Sequence, residues 1–286
     1  MSMSVKTSRR ISMVFQYAFL LILAAFILYP LMYVVFGSFK ENQELLLGGV
    51  NVFPRKFIVQ NYIDAWNGAN FSRFTFNSIF LSFFVMVGVV LVSSMAGYCF
   101  ARKEFPFKNL LYGLLIAFMF VSIGSVSLRP LFEVAIYFGL DKSLWGVILI
   151  TIGTTQASNI FLARGYIQSI PREVDEAAKI DGCTFFGIYW RILMPLMVPI
   201  LATIALLAFR AGWNQYMLPY VFTMSNVDMR PLTVGVVQLQ NSMDGSAANW
   251  NIMFAGASMA IVPIVTLYAL TSRYFITGLT SGAVKG

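Results

Sequence analysis

The chain has 286 residues, of which 58% are hydrophobic and only 11% are charged. An average soluble protein carries about 25% charged residues, and a globule of this length cannot bury so much apolar surface, so a soluble protein is excluded. The chain has no histidine, and its two cysteines, Cys99 and Cys183, do not have metal-site spacing, so zinc sites, other resident metals and histidine-based catalysis are not expected.

Six mostly apolar segments predict transmembrane helices, because about 20 such residues cross the roughly 30 Å hydrocarbon core. In chain order they are 12–36, 78–101, 109–128, 143–163, 196–220 and 252–272. The alternating strands of a membrane barrel are absent from the sequence, and a helix satisfies its own backbone hydrogen bonds in lipid. We therefore predict an all-α integral membrane protein with six transmembrane helices and a single membrane domain.

The N-terminal segment 1–11 carries Lys6, Arg9 and Arg10 ahead of the first apolar stretch. That stretch is longer than the ~7–15-residue core of a signal peptide, and no convincing cleavage site follows it. We expect residues 1–11 to stay in the cytoplasm and the first helix to remain uncleaved. An extracytoplasmic loop, 37–77, follows it.

Lysine and arginine are distributed unequally between the two sides of the predicted membrane domain. One side holds twelve: Lys6, Arg9, Arg10, Arg102, Lys103, Lys108, Arg164, Arg172, Lys179, Arg191, Arg273 and Lys285. The other holds seven: Lys40, Arg55, Lys56, Arg73, Arg129, Lys142 and Arg230. The positive-inside rule places the first side in the cytoplasm, with both termini and the tail 274–286. The net charge of +8 therefore reflects topology and needs no nucleic-acid partner.

The longest inside connection, 164–195, predicts a helix-turn-helix elbow. Pro171 and three acidic residues after it favour a helix start, and Gly182 is placed to end that helix in a left-handed turn. A second helix is predicted from Thr184 to Met194. By periodicity alone, the elbow either contacts another protein or packs as an amphipathic hairpin on its own membrane domain.

Specific residues decide between these alternatives, because their order resembles the EAA loop of ABC importer permeases. The matching residues are Glu176-Ala177-Ala178, then Gly182, then Ile192-Leu193-x-Pro195. Further matches point to the sugar-permease family that includes the second membrane subunit of maltose-type importers: Asn61-Tyr62, Asn77-Ser78, Trp213-Asn214, Pro219 and the ending Gly282-Ala283-Val284-Lys285-Gly286. The resemblance covers nearly the whole chain and implies the type I ABC importer permease fold, with a core at 78–273 in the bacterial inner membrane.

The family resemblance also implies partners and residue roles. The EAA loop of such permeases sits in a cleft of the ATPase subunit, so the predicted coupling residues are Glu176, Ala177, Ala178, Asp181 and Gly182. The implied partners are a second homologous permease, two ATP-binding subunits, an extracytoplasmic solute-binding protein and a sugar. The sequence has no G-x-x-x-x-G-K-[ST] phosphate loop, so we expect a transport subunit that is not an enzyme and has no nucleotide or other cofactor.

The fifth span contains polar residues that are expensive to expose to lipid: Arg210, Trp213, Asn214, Gln215 and Tyr216. Aromatic faces and amides suit sugar rings and hydroxyls, so these five are the predicted substrate-path residues. Alternatives remain for them: Trp213 and Asn214 can instead hold the two permeases together, and Arg210 can pair with an acid of the partner permease or lie at a water defect. The cargo is expected to be an oligosaccharide; the alternatives are an acidic, uronate-containing oligosaccharide and a polyol. A membrane enzyme or an ion-coupled transporter is disfavoured, because the six spans contain no carboxylate.

Overall fold

The computed structural model describes residues 5–48, 51–121, 124–240 and 248–283, and within these ranges the chain forms helices and turns without a β-strand. It divides into two compact units. The first contains Met1–Asn70 and Val236–Ala260, and the second contains Phe71–Gly235 and Ile261–Gly286. The described residues do not include the first four residues of the predicted N-terminal segment, 1–4, or the last three of the predicted C-terminal tail, 284–286.

Among the described residues, the first unit holds three whole helices and parts of two others. The whole helices are α1 (Val5–Gly37), α2 (Asn42–Leu47) and α3 (Gln60–Gly68); the parts are the end of α14 (Leu232–Gln238) and the beginning of α15 (Trp250–Ala283). The apolar stretch of α1, Ser12–Gly37, is long enough to cross a membrane, and most of it is exposed, although Gly37 at its end is buried. This surface is therefore available to lipid or to another protein.

Asn61 organises the segment that follows α1. Its side-chain amide donates to the carbonyls of Ser38 and Lys40 at 2.8 and 2.9 Å, and its oxygen accepts from the Asn251 amide at 2.9 Å. Lys40 is only 2% exposed, and its ammonium donates to the carbonyl of Asn51. The described part of the predicted extracytoplasmic loop within this unit therefore contains two helices, α2 and α3, held by these hydrogen bonds.

The second unit carries the remaining helices. In chain order they are α4 (Phe71–Arg102), α5 (Lys108–Phe120), α6 (Leu128–Tyr137), α7 (Leu144–Thr154), α8 (Gln156–Ser169), α9 (Arg172–Ile180), α10 (Phe185–Ile188), α11 (Met194–Leu196), α12 (Val198–Trp213), α13 (Met217–Phe222), the beginning of α14 and the rest of α15. A π-helical turn, Tyr189–Leu193, joins α10 to α11, and 3-10 turns lie at Gly124–Ser127 and Val227–Met229.

Helix α4 is the centre of the second unit, and it packs against α8 and α12. Small residues allow these helices to approach closely. A Cβ atom placed on Gly212 would lie 2.8 Å from the Cα of Ser82, and one on Gly97 would lie 2.7 Å from the Cβ of Ala163. Close backbone approach through small residues is typical of helix packing in membranes.

Three helical stretches in the described residues are long and apolar enough to cross a membrane: Ser12–Gly37, Phe71–Arg102 and Trp250–Ala269. Two bent pairs can each supply one more span. α7 and α8 meet at 51°, and the segment Phe185–Leu196 meets α12 at 82°. By length and hydropathy, the described residues thus supply three to five candidate spans, and the prediction of six stays a prediction.

Several predicted boundaries differ from the structure. The second span was predicted from 78, but α4 starts at Phe71, because Phe71 and Phe74 are buried and extend its packing surface. The third span, 109–128, contains an α-helix of only 13 residues, about 20 Å at 1.5 Å per residue. The fifth, 196–220, is interrupted after Trp213, where Asn214 caps α12.

Candidate functional site

The predicted elbow is present as two short helical segments joined at a glycine. α9 follows Pro171 and has Glu173 and Asp175 in its first turn. Gly182 has φ +81°, which confirms the left-handed turn predicted there, a conformation that favours glycine. The next segment begins at Thr184, whose hydroxyl accepts from the backbone N–H of Gly187 at 3.1 Å and caps the helix.

A buried ion pair attaches this elbow to the end of α4. The Arg102 Nε lies 2.6 Å from the Asp175 Oδ2, and each side chain is only 7% exposed. The Arg102 guanidinium also donates to the carbonyl of Ile170 at 2.8 Å, just before α9. One arginine therefore fixes both the start of α9 and its inward face, and we call this pair the elbow latch.

Aromatic rings form a second attachment beneath the elbow. Tyr98 of α4 stacks on Phe185 with ring centroids 4.2 Å apart, and on Tyr189 at 5.7 Å. The Tyr189 hydroxyl, which is in the π-helical turn, lies 2.7 Å from the Ser94 hydroxyl and is almost fully buried. π-helical turns are frequent at functional sites, and this one lies between the elbow and α12.

The predicted coupling residues divide between the two faces of the elbow. Ala178 is 4% exposed and packs inward, whereas four others, Glu176, Ala177, Asp181 and Gly182, are exposed. Sequence reasoning did not select Ile180, which follows them on the outer face and is 87% exposed. Ile180 and the exposed Ala177 therefore give the outer face of the elbow apolar surface.

The predicted substrate-path residues are also divided by the structure. Trp213 is 2% exposed and stacks on Phe209, with centroids 5.8 Å apart and an interplanar angle of 16°. This is the geometry of a packing residue, so the sugar-stacking face expected at Trp213 is covered by the chain itself. Asn214 is exposed at the end of α12.

Gln215 and Tyr216 line a cavity of about 450 Å³ beside α12 and α13. Its lining combines polar and apolar groups: Gly124, Ser127, Leu128, Leu131, Ile150, Thr154, Gln215, Tyr216, Met217 and Leu218. The Gln215 side-chain oxygen accepts from the Thr151 hydroxyl at 2.8 Å, which orients its amide, and Tyr216 stacks on Tyr220. No lysine, arginine, aspartate or glutamate lines this cavity among the described residues.

Arg210 lies apart from that cavity, in a separate groove of about 290 Å³. The groove is lined by Leu206, Leu207, Phe209, Arg210, Ile264, Val265 and Tyr268. The five path residues therefore do not form one surface: Gln215 and Tyr216 share a cavity, Arg210 has its own groove, and Trp213 is interior.

Comparison with known proteins identifies the family. Residues 90–279 match the family described as "Binding-protein-dependent transport system inner membrane component". The chain belongs to this family. The matched region contains the elbow, the latch and α12, so the resemblance predicted from the EAA motif is confirmed. The chain is thus a permease component of an ABC transport system, and its several apolar helices agree with a multi-pass membrane protein.

Relatives with assigned names extend over almost the whole chain. The "Probable ABC transporter permease protein YurM" of Bacillus subtilis is 32% identical over 96% of this chain and 88% of its own length. The "Arabinooligosaccharides transport system permease protein AraQ" of Halalkalibacterium halodurans is 35% identical, and 94% of each chain is covered. The "Galactooligosaccharides transport system permease protein GanQ" of Bacillus subtilis is 30% identical over 98% of each chain.

A solved structure has the same fold. It is described as a bacterial ABC transporter involved in the import of the acidic polysaccharide alginate, and one of its chains matches with a TM-score of 0.79. The match covers 96% of this chain and 100% of that chain, at 24% identity. The fold is therefore that of an ABC importer permease.

Proposed function

We propose that this permease forms half of the translocation path of an ABC importer for oligosaccharides. The observation that carries the proposal is the agreement of its relatives: those 30–35% identical over nearly the whole chain include permeases named for arabino- and galactooligosaccharides. The cavity at Gln215 and Tyr216 supports a neutral cargo, because amide, hydroxyl and aromatic groups bind sugar hydroxyls and ring faces without requiring a charge. An acidic oligosaccharide or a polyol is the alternative cargo.

The outer face of the elbow is the proposed contact with the ATP-binding subunit. Glu176 and Asp181 supply polar contacts, and Ala177 with Ile180 supplies a flat apolar surface that permits close approach. Inward-facing Ala178 and the elbow latch connect that surface to α4. ATP hydrolysis takes place in the separate subunits, so the permease itself carries no ATPase site and is not an enzyme.

The proposed assembly contains a second homologous permease, two ATP-binding subunits and an extracytoplasmic solute-binding protein. The charge distribution places the elbow and both termini in the cytoplasm of a bacterial cell, and the region 37–77 on the opposite side of the inner membrane. The exposed α1 surface is then available to lipid and to the second permease.

Uptake measurements test the cargo. Cells with the chain's gene deleted are given labelled neutral arabino- and galactooligosaccharides, a uronate-containing oligosaccharide and a polyol. We expect loss of uptake of a neutral oligosaccharide, which the intact chain restores and Gln215→Leu restores at least tenfold less well. Gln168→Leu is the matched control, because Gln168 is an exposed glutamine of α8 outside the cavity. Unchanged uptake of every oligosaccharide in the deletion strain contradicts the proposal.

Cysteine cross-linking tests the coupling surface. In a Cys99→Ser, Cys183→Ser background, Ala177→Cys should cross-link to cysteines introduced on the ATP-binding subunit. The adjacent Ala178→Cys is the control and should not react, because Ala178 is 4% exposed. Equal cross-linking at both positions, or none at either, would contradict a contact between the outer face of the elbow and the ATP-binding subunit.

A further inference from the structure

Among the described residues, Arg210 of the apolar helix α12 has no acidic partner. It lies three residues before the end of α12 and is exposed, and none of the ion pairs among the described residues includes it. By contrast, Arg102 pairs with Asp175, and the Arg164 guanidinium lies 3.8 Å from the centre of the Tyr112 ring. Within the part of the chain that the structure describes, no carboxylate therefore compensates the charge of Arg210.

The chain has no acid to offer at that depth. All of its 12 aspartates and glutamates lie outside the six apolar segments predicted to cross the membrane. An arginine keeps its charge in a protein, and within a membrane it normally pairs with an acid, backbone carbonyls or water. A carboxylate that pairs with Arg210 within the membrane would therefore belong to another molecule, whereas water would be the alternative partner.

The lining of the groove indicates which kind of molecule that is. Apart from Arg210 and the Tyr268 ring, the groove is formed by Leu206, Leu207, Phe209, Ile264 and Val265. A sugar placed there would leave most of its hydroxyls without hydrogen-bond partners, which is costly. The polar cavity suited to sugar hydroxyls is the separate one at Gln215 and Tyr216.

We propose that the Arg210 groove receives a transmembrane helix of the second permease, and that an aspartate or glutamate of this helix pairs with the Arg210 guanidinium. Apolar side chains of that helix pack on Leu207 and Val265, and the ion pair fixes its depth and rotation. A planar guanidinium can bind a carboxylate through two parallel hydrogen bonds, which adds directional specificity. The inference rests on the proposed function only in requiring a second permease.

Assembly of the two permeases tests this ion pair independently of cargo. We expect Arg210→Met and Arg210→Glu to reduce the amount of second permease that co-purifies with the tagged chain at least tenfold, and Arg210→Lys to reduce it less. Arg129→Met is the matched control, because Arg129 is an exposed arginine of α6 that already pairs with Glu133. Recovery of the tagged chain itself from the membrane is measured in every variant.

A charge exchange separates the proposed pair from general damage to the fold. Each acid within the spans of the second permease is changed to lysine and combined with Arg210→Glu, and one such combination should restore assembly at least threefold over Arg210→Glu alone. Normal assembly of Arg210→Met overturns the proposal, as does the absence of any restoring combination. Normal assembly with selective loss of a uronate-containing cargo would assign Arg210 to the sugar path instead, while leaving the importer function intact.

Discussion

Replacement of Arg102 by methionine should release the elbow from α4. The substitution keeps a long, flexible side chain that fills space, but it removes the cation 2.6 Å from the Asp175 carboxylate and the donor to the Ile170 carbonyl. Asp175 is left buried, with its side chain 7% exposed and its second oxygen, Oδ1, already without a hydrogen-bond partner in the structure.

The size of the effect follows from the burial of the pair. Removing one partner of a buried ion pair typically costs about 3–5 kcal/mol, because the remaining charge is uncompensated. The cost falls on the contact between α9 and α4, so it should lower the free energy of opening of α9 more than that of the whole unit. Each ~1.4 kcal/mol is a factor of ten, so the open population of α9 should rise at least roughly a hundredfold.

Hydrogen exchange of the purified importer measures this opening directly. Amides of 173–180 should exchange at least a hundredfold faster in Arg102→Met, while amides in the middle of α4 should exchange at the original rate. Substrate-stimulated ATP hydrolysis should fall in the same variant, because the outer face of the elbow no longer moves together with α4.

A double variant provides the decisive comparison. Arg102→Met combined with Asp175→Leu removes both charges, and replacing a whole buried ion pair by apolar residues is often neutral or stabilising. Slow exchange of α9 should therefore return in the double variant, although Asp175→Leu alone leaves Arg102 unpaired. Unchanged exchange in Arg102→Met, or effects of the two substitutions that simply add, would refute a latch that depends on this pair.

Three further predictions concern packing and topology. Gly212→Leu should destabilise the second unit by about 1–3 kcal/mol, because even a Cβ there would lie 2.8 Å from the Cα of Ser82, and a lower Tm than that of Ala211→Leu measures this. Asn61→Leu should lower Tm by removing three hydrogen bonds of a side chain that is 4% exposed, at a cost of about 1–3 kcal/mol for each polar group left unpaired. In a Cys99→Ser, Cys183→Ser background, Met224→Cys should react with an impermeant thiol reagent from outside the cell and Lys103→Cys only after lysis; the reverse result contradicts the assigned orientation.

The positions of the apolar helices could be predicted from the sequence because length and hydropathy alone determine them. The turn at Gly182 could also be predicted, because a glycine after an amphipathic helix is a strong local signal. The 51° bend near Thr155 within the fourth span was not predicted. The break at Met197 has a local signal, because Pro195 and Pro199 flank it and the second elbow helix was predicted to end at Met194, but the 82° angle is evident only in the folded chain.

The candidate site likewise has some features that the sequence predicts and others that only the folded chain shows. The EAA motif identified the elbow, but the pairing of Arg102 with Asp175 joins residues 73 positions apart, and only the folded chain shows it. Aromatic character suggested a sugar contact at Trp213, yet this side chain is only 2% exposed in the folded chain. Ile180 was not among the predicted coupling residues, and its exposure of 87% is a property of the folded chain.

The 82° angle between the segment Phe185–Leu196 and α12 has a mechanical consequence. Because the cosine of 82° is about 0.14, only about one seventh of a shift along the first axis is directed along the second. We therefore expect the corner at Met197 to convert a shift of the segment Phe185–Leu196 mainly into a sideways displacement of α12 and only slightly into movement along the axis of α12. Such a displacement widens or narrows the space beside α12 and leaves the depth of that space unchanged.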